Sequence, residues 1–370
     1  MLSKLQGPEG VPGFHRYVRL VTGASGGMVA AGTWVTALRA EGLPGDFSLP
    51  AVMQQDSLSS PAISLLLPGG EDRGRSLEHT WVRNTEGLLG RSFEALRPGE
   101  ASGWLPSLVY SPMLVEDGRR LLVSNLDLSV LTSSESSILV ADAKGDSREE
   151  APGPALAVGR AALPALPRRQ SVFSVATAAR MSASFPYMSP ASALPTAPRV
   201  RVVDAGYYDN YGVDLALMWL HAHRGWIRAC TSGVVLLQIR DHLRNGRLST
   251  LRESGAGAVM GGLTSPIEAV LQARESSMSF RNDELLSLVQ DELNAGQPCF
   301  FTTQPFEFSQ TAPLSWALSA HDVAQLQRAA DSATMAYQVA AVREWLTASP
   351  EAQARARQLL LCPGQRDVPP

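Results

Sequence analysis

The sequence predicts an α/β fold, a mostly parallel sheet flanked by helices, and three observations carry that reading. A β-rich run, Tyr17 to Val21, turns sharply through Gly23-Ala24-Ser25-Gly26-Gly27 into a helix of small residues. Short apolar strand patterns at Val200–Val203 and Gly233–Ile239 bracket a helix-compatible stretch from Val213 to His223. Neither a repeat nor a linker-like segment interrupts the 370 residues. The domain count is therefore one, over 1–370, with its core motifs in 17–240 and a helical C-terminal cover over 250–361.

In chain order, residues 1–16 are punctuated by Gly and Pro and read as an irregular lead-in. The helix opening at Gly26 runs to about Glu41, where Gly42-Leu43-Pro44-Gly45 stops it. Between Asp46 and Ser107 the signals are mixed, with helical spacing from His79 to Leu96 and a place in covering helices or a lid. Strand patterns follow at Leu121–Leu128 and Ser137–Val140, then an exposed loop over 144–168. Ser171–Met181 is helix-compatible and is ended by Pro186. After the strand at 233–239, helical segments occupy 250–294, Cys299–Thr303 reads as a last strand, and amphipathic helices follow Ser319.

Composition excludes several classes. Hydrophobic residues at 45% against 18% charged describe a globular chain, and a net charge of −3 offers no basic footprint for nucleic acid. Cys230, Cys299 and Cys362 are odd in number and widely spaced, which suits neither a disulfide framework nor a zinc site. Reduced thiols in a cytoplasmic setting are the expectation. Residues 1–13 lack the apolar core of a secretory signal, and no run reaches the roughly 18 apolar residues of a membrane span. A cytoplasmic or peripheral membrane location follows.

The glycine-flanked Ser25 has the spacing of a nucleophile elbow, Gly-x-Ser-x-Gly between a strand and a helix. The turn would strain the serine backbone, and Gly23 and Gly27 would make it sterically possible. The first N–H groups of the helix, Gly26 foremost, would face an oxyanion formed there. A phosphate-binding turn of the short-chain dehydrogenase type competes for the same residues. It requires a third glycine where Val29 stands, and a Tyr-x-x-x-Lys pair that Lys4 and Lys144 cannot supply, since residue 140 is Val.

A serine nucleophile needs a base. Asp204 ends the strand 200–203 just as Ser25 follows its own, and sheet ends are where α/β sites gather. Ala205 and Gly206 are small enough to let another backbone approach its carboxylate. Among the histidines, His221 and His223 close a helix, His79 reads as surface, and His242 after Asp241 is the best alternative base.

At this point the sequence resembles the patatin-like phospholipase family. Gly23-Ala24-Ser25-Gly26-Gly27 is similar to its nucleophile elbow, Ala183-Ser184-Phe185-Pro186 to its second signature, and Asp204-Ala205-Gly206 with Tyr207-Tyr208-Asp209-Asn210-Tyr211-Gly212 to its aspartate block. The resemblance implies a patatin-like fold and a Ser25–Asp204 dyad hydrolysing a lipid or other acyl ester through an acyl-enzyme, with no metal and no organic cofactor. It also implies peripheral membrane contact. Phe185, Tyr187, Met188 and Tyr207 are the candidate acyl channel. One family feature is missing: only 24 residues precede Ser25, and Gly7, Gly10 and Gly13 are scattered where a glycine-rich oxyanion loop is expected. The expectation is a fold lacking the first strand and that loop, hence either a weakened hydrolase or an inactive scaffold, with a Ser-His-Asp esterase as the third reading.

Overall fold

A computed structural model describes residues 1–57, 59, 73–132, 138–142, 174–184, 191–194, 200–240, 277–278, 280–308, 318–348 and 351. It is a mixed α/β structure of helices and small sheets. By contacts the chain divides into two compact units, Leu2–Ala222 with Leu314–Ser319, and His223–Pro313 with Ala320–Pro370.

The first unit opens on a short helix α1 (Leu2–Gln6) and a 3₁₀ turn (Phe14–Arg16). The irregular lead-in is thus folded, because Leu5, Val11 and Phe14 are all buried. Its glycines serve that turn. A Cβ on Gly10 would lie 2.2 Å from the Lys4 carbonyl oxygen, and Gly13 has a left-handed φ of 64°.

Strand β1 (Leu20–Thr22) leads through the corner into α2 (Ser25–Ala37). The helix ends four residues short of the expected Glu41, because Leu38 turns to extended backbone and Arg39 bridges to Gly42. Nine of its thirteen residues are buried. Small and β-branched residues suit such a helix: Thr33 and Thr36 return their hydroxyls to the Val29 and Gly32 carbonyls, so neither buried hydroxyl is left without an acceptor. Gly32 lets the Tyr110 ring pack close, and the buried Tyr110 hydroxyl donates to the Met28 carbonyl at 3.1 Å. Arg91 donates to the Thr36 carbonyl at 2.8 Å, placing a cation at the negative end of the helix.

The stretch 46–107 holds α3 (Leu49–Met53), α4 (Arg73–Asn84), a 3₁₀ turn (Leu88–Gly90) and α5 (Phe93–Ala101). Left-handed Gly87 breaks the helical spacing of 79–96 into two elements.

Among the described residues there are three small sheets instead of one mostly parallel one. β1 pairs in parallel with β2 (Ser107–Val109). β3 (Met113–Leu114), β4 (Arg120–Ser124), β5 (Ile138–Asp142), β6 (Ser192–Ala193) and β7 (Arg201–Val203) form a mixed sheet in the order β5-β4-β3-β7-β6. β4 and β5 are parallel over five residue pairs, whereas β3 pairs antiparallel with both β4 and β7. A single antiparallel bridge, Tyr110 to Val123, ties the β1–β2 pair to β4. So β1 and β7, the strands before Ser25 and Asp204, are not neighbours in one parallel sheet.

Helices α6 (Val175–Ser182) and α7 (Val213–Ala222) complete this unit. Leu215 of α7 joins Val109, Leu122, Leu128 and Leu131 in a buried cluster, with Leu20 of β1 packed against it. Each such side chain contributes about 1.5–3 kcal/mol of burial. α6 packs on α2 and is clamped to α4: Glu78 accepts from Thr177 at 2.6 Å and from Arg180 at 2.8 Å, and Arg180 reaches Ser192 of β6.

The second unit contains α8 (Arg224–Cys230), strands β8 (Val234–Arg240) and β9 (Phe301–Glu307), a helical stretch over 280–294, α9 (Ala320–Ala330) and α10 (Ala333–Thr347). β8 and β9 run parallel over seven residue pairs. Phe300, Phe301 and Phe306 fill the core, and Arg228 donates to the Glu292, Leu293 and Ala295 carbonyls, capping the 280–294 helix with a cation. α10 buries Met335, Val339 and Val342, whereas α9 buries no residue, so only the former covers in the expected sense. Cys230 is an exposed free thiol, but Cys299 is disulfide-bonded, which corrects the expectation of reduced thiols throughout. Among the described residues no helix is long and apolar enough to cross a membrane.

Candidate active site

Ser25 is the first residue of α2 and has φ 49°, one of three non-glycine residues with positive φ among those described. A left-handed serine costs about 1–2 kcal/mol. It is held there by β1 entering on one side and the buried α2 leaving on the other. No side chain caps the helix and its first turn carries no acidic residue, so the N–H groups of Ser25, Gly26 and Gly27 point from a positive, uncapped helix end. Ser25 and Gly26 are half-buried and Gly27 is exposed.

The flanking glycines are less crowded than their spacing suggests. A Cβ on Gly27 meets nothing within 4 Å, and one on Gly23 makes ordinary contact with Met28. The tight glycine is Gly212, with φ 68°: a Cβ there would lie 2.5 Å from the Gly23 nitrogen and 2.6 Å from its Cα. Backbone from the aspartate block therefore packs directly on the serine corner. Sequence reasoning quoted Gly212 without assigning it this role, and its only local signal is the Tyr-Gly pair before a helix.

Asp204 follows β7 and is buried, 5% exposed. Its carboxylate accepts the Gly206 N–H at 2.7 Å and caps the 3₁₀ turn Ala205–Tyr207. A Cβ on Gly206 would stand 3.0 Å from both Asp204 Oδ1 and Asn210 Oδ1, so its smallness makes room for two side-chain oxygens rather than for another backbone. Ala205 is buried and carries the N-terminal residue of that turn. α6 packs on α2 and also touches β7 and the 205–207 turn, so both corners border the same helix.

Arg120, at the start of β4, holds the block from beneath. Its guanidinium pairs with Asp214 at 2.9 Å, both side chains being almost fully buried, and stacks 4.3 Å from the centre of the Tyr208 ring. One cation thus fixes the middle of the 204–212 loop and the first turn of α7. Nothing in the local sequence marks this arginine, since its partners lie about 90 residues further along the chain.

The structure does not draw the dyad hydrogen bond: the Ser25 hydroxyl bonds to no described residue. The corners meet through Gly23 and Gly212. Phe185, Tyr187 and Met188 lie outside the described residues, as does His242, while Tyr207 is half-buried in the 3₁₀ turn. His79 is exposed, as expected. His15 is buried, with Nε2–H donated to the Ala40 carbonyl and Nδ1 accepting from Gln6. Burial lowers its pKa. Ala40 lies beyond the far end of α2, and about 20 Å of helix separates that end from Ser25, so His15 is not its base.

A cleft of about 180 Å³ begins at the corner. Gly26, Val29 and Thr33 form its α2 wall, facing Val52 and Met53 of α3, Trp81 of α4 and Leu89. Tyr207, the one expected channel residue among those described, does not line it.

No protein-family model matches the chain, and no curated protein matches it in sequence.

Proposed function

We propose that the chain is a serine acyl-ester hydrolase with a patatin-like arrangement, Ser25 as nucleophile and Asp204 as general base, acting without metal or organic cofactor. The observation that supports it most is the left-handed Ser25 at an uncapped helix start, with the aspartate block packed on the same corner. A residue held in a costly conformation at a strand–helix corner is characteristic of functional sites.

In this mechanism the Ser25 Oγ–H proton passes to Asp204 as Oγ bonds to the ester carbonyl carbon. The Gly26 N–H, with the helix dipole behind it, holds the tetrahedral oxyanion. Collapse expels the alkoxide, which takes the proton back from Asp204 and leaves an acyl-Ser25. Water then attacks the acyl carbon, Asp204 accepts its proton and returns it to Ser25 Oγ, and the carboxylic acid leaves. An unmade Ser25–Asp204 hydrogen bond is compatible with this course, because such bonds often tighten only around substrate. A lipid ester presented at a membrane surface is the substrate class the resemblance suggests.

One observation favours a second reading, a non-catalytic scaffold: Gly10 and Gly13 are committed to their own turn, so they supply no oxyanion loop. Losing one oxyanion donor costs roughly 10²–10³ in turnover. Hydrolysis of aryl acetate by the purified chain separates the readings. The hydrolase reading expects slow turnover that falls on the order of 10⁴-fold in both Ser25→Ala and Asp204→Asn. Absence of turnover in the parent would establish the scaffold. Activity that survives Asp204→Asn and vanishes in His242→Ala would replace the dyad by a histidine base.

A further inference from the structure

We infer that the cleft beside Gly26 is an acyl subsite for a short hydrocarbon chain of about six carbons, so that the substrate is a short-chain ester rather than a long-chain lipid. The inference rests on the proposed Ser25 chemistry for the word acyl, and on the cleft itself for the size and polarity of its occupant.

Placement comes first. The cleft starts at Gly26, the residue whose N–H faces the proposed oxyanion, and follows α2 away from Ser25 through Val29 and Thr33 at helical spacing. A carbonyl bound at Ser25 would therefore lead its chain along this wall.

Polarity comes second. Among the described residues no charged side chain lines the cleft, and the donor hydrogens of its polar side chains are already engaged. Thr33 donates to the Val29 carbonyl, Thr85 to the Trp81 carbonyl, Ser57 to the Gln55 carbonyl, and the Asn84 amide to the Asp56 carbonyl and Ser57. What remains on offer is hydrocarbon: Val29, Val52, Met53, Trp81, Leu89 and Leu318. A head group, sugar or phosphate would lose its water there and meet hydrocarbon along most of the wall. An acyl chain loses nothing.

Size comes third. The cleft measures about 180 Å³. An apolar cavity of about 150 Å³ holds one benzene, a six-carbon hydrocarbon, whereas pockets for larger organic ligands run to about 300–1,000 Å³. Six carbons fit and sixteen do not. The Trp81 ring and the Leu89 side chain, both buried, form part of its wall.

The test combines a chain-length series with a direct binding measurement. For p-nitrophenyl acetate, butyrate, hexanoate, octanoate and palmitate, kcat/KM is expected to rise about fourfold per methylene up to about six carbons and then fall. Hexanoate is expected to bind Ser25→Ala on the order of 10²-fold more tightly than acetate, read from the melting-temperature shift or by titration calorimetry. Met53→Phe should move the optimum toward acetate and Met53→Ala toward octanoate; Met53 is half-buried on the short α3, so both variants should fold. Ser25-dependent turnover with no length dependence, or with palmitate preferred, overturns the subsite while leaving the hydrolase reading intact. Hexanoate binding that weakens in Met53→Phe, with no turnover of any ester, upholds the hydrocarbon site and overturns the hydrolase.

Discussion

The two corners of the site are built by opposite means. Both lie after a short strand and both carry glycines, yet the Ser25 corner is strained and open on its helix side while the Asp204 corner is relaxed and tightly held. Ser25 has φ 49°, and Gly27 beside it has open space where a Cβ would go. Asp204 has an ordinary negative φ of −46°, but Gly206 presses on its carboxylate and Arg120 grips the loop and helix that follow it. A nucleophile must project and must leave room for a substrate, so its conformation is imposed from outside by β1 and α2. A buried base must keep one position through a proton cycle, and hydrogen bonds and an ion pair supply that.

If this division is right, the largest damage comes from loosening the tight corner. Arg120→Met removes one member of a buried pair and leaves Asp214 charged in the core. The expected cost is about 3–5 kcal/mol in denaturant unfolding. Arg120→Lys keeps the charge but loses the flat stack on Tyr208, and should recover most of the stability with less of the turnover. Equal loss of stability and activity in both variants would make Arg120 a core residue with no bearing on the base.

The second test sets one glycine against another. Gly212→Ala drives a Cβ into the Gly23 backbone and puts an alanine at φ 68°, with an expected cost of about 2 kcal/mol or more and a fall in kcat from the displaced serine corner. Gly27→Ala meets no atom, and lies in the first turn of α2, where alanine favours the helix by about 0.5–1 kcal/mol. Thermal unfolding of the two variants should therefore shift in opposite directions. A Gly27→Ala that loses activity at unchanged stability would show that the open space is occupied by substrate.

How much of this was legible beforehand follows from the same contrast. Strain at Ser25 is a local matter of five consecutive residues, so Gly23 to Gly27 announced the corner, and the β-branched run Val200–Val203 announced the strand before Asp204. The tight packing is not local. Gly212 meets Gly23 and Arg120 meets Asp214 across about 190 and 90 residues, and no periodicity encodes either contact. The sheet was misjudged for the same reason. The strands with the clearest patterns, β4, β5, β8 and β9, do form the longest parallel ladders. Short β3 and β6 carry too few residues to show alternation, and it is these two strands that supply the antiparallel pairs of the five-stranded sheet. The aromatic residues 185–188 and Tyr207 suggested a channel by composition alone, while the cleft that is described uses Val29, Met53 and Trp81, spread over three helices.

The smallest effect is also the one that isolates the strain. Ser25→Gly removes the hydroxyl and the Cβ together, so it should abolish turnover and yet raise stability by about 1 kcal/mol, a shift of about 2–4 °C in melting temperature. Ser25→Ala abolishes turnover just as fully but keeps a Cβ at φ 49°, and should melt with the parent. Asp204→Ala provides the counterpart. It deprives the Gly206 N–H of its buried acceptor at 2.7 Å and should lower stability by about 1–3 kcal/mol. Two inactive variants would then differ in sign, one stabilised because a costly conformation is relieved and one destabilised because a made bond is lost. Equal melting of Ser25→Gly and Ser25→Ala would mean that the corner holds its serine without strain, and the contrast between the two halves of the site would disappear.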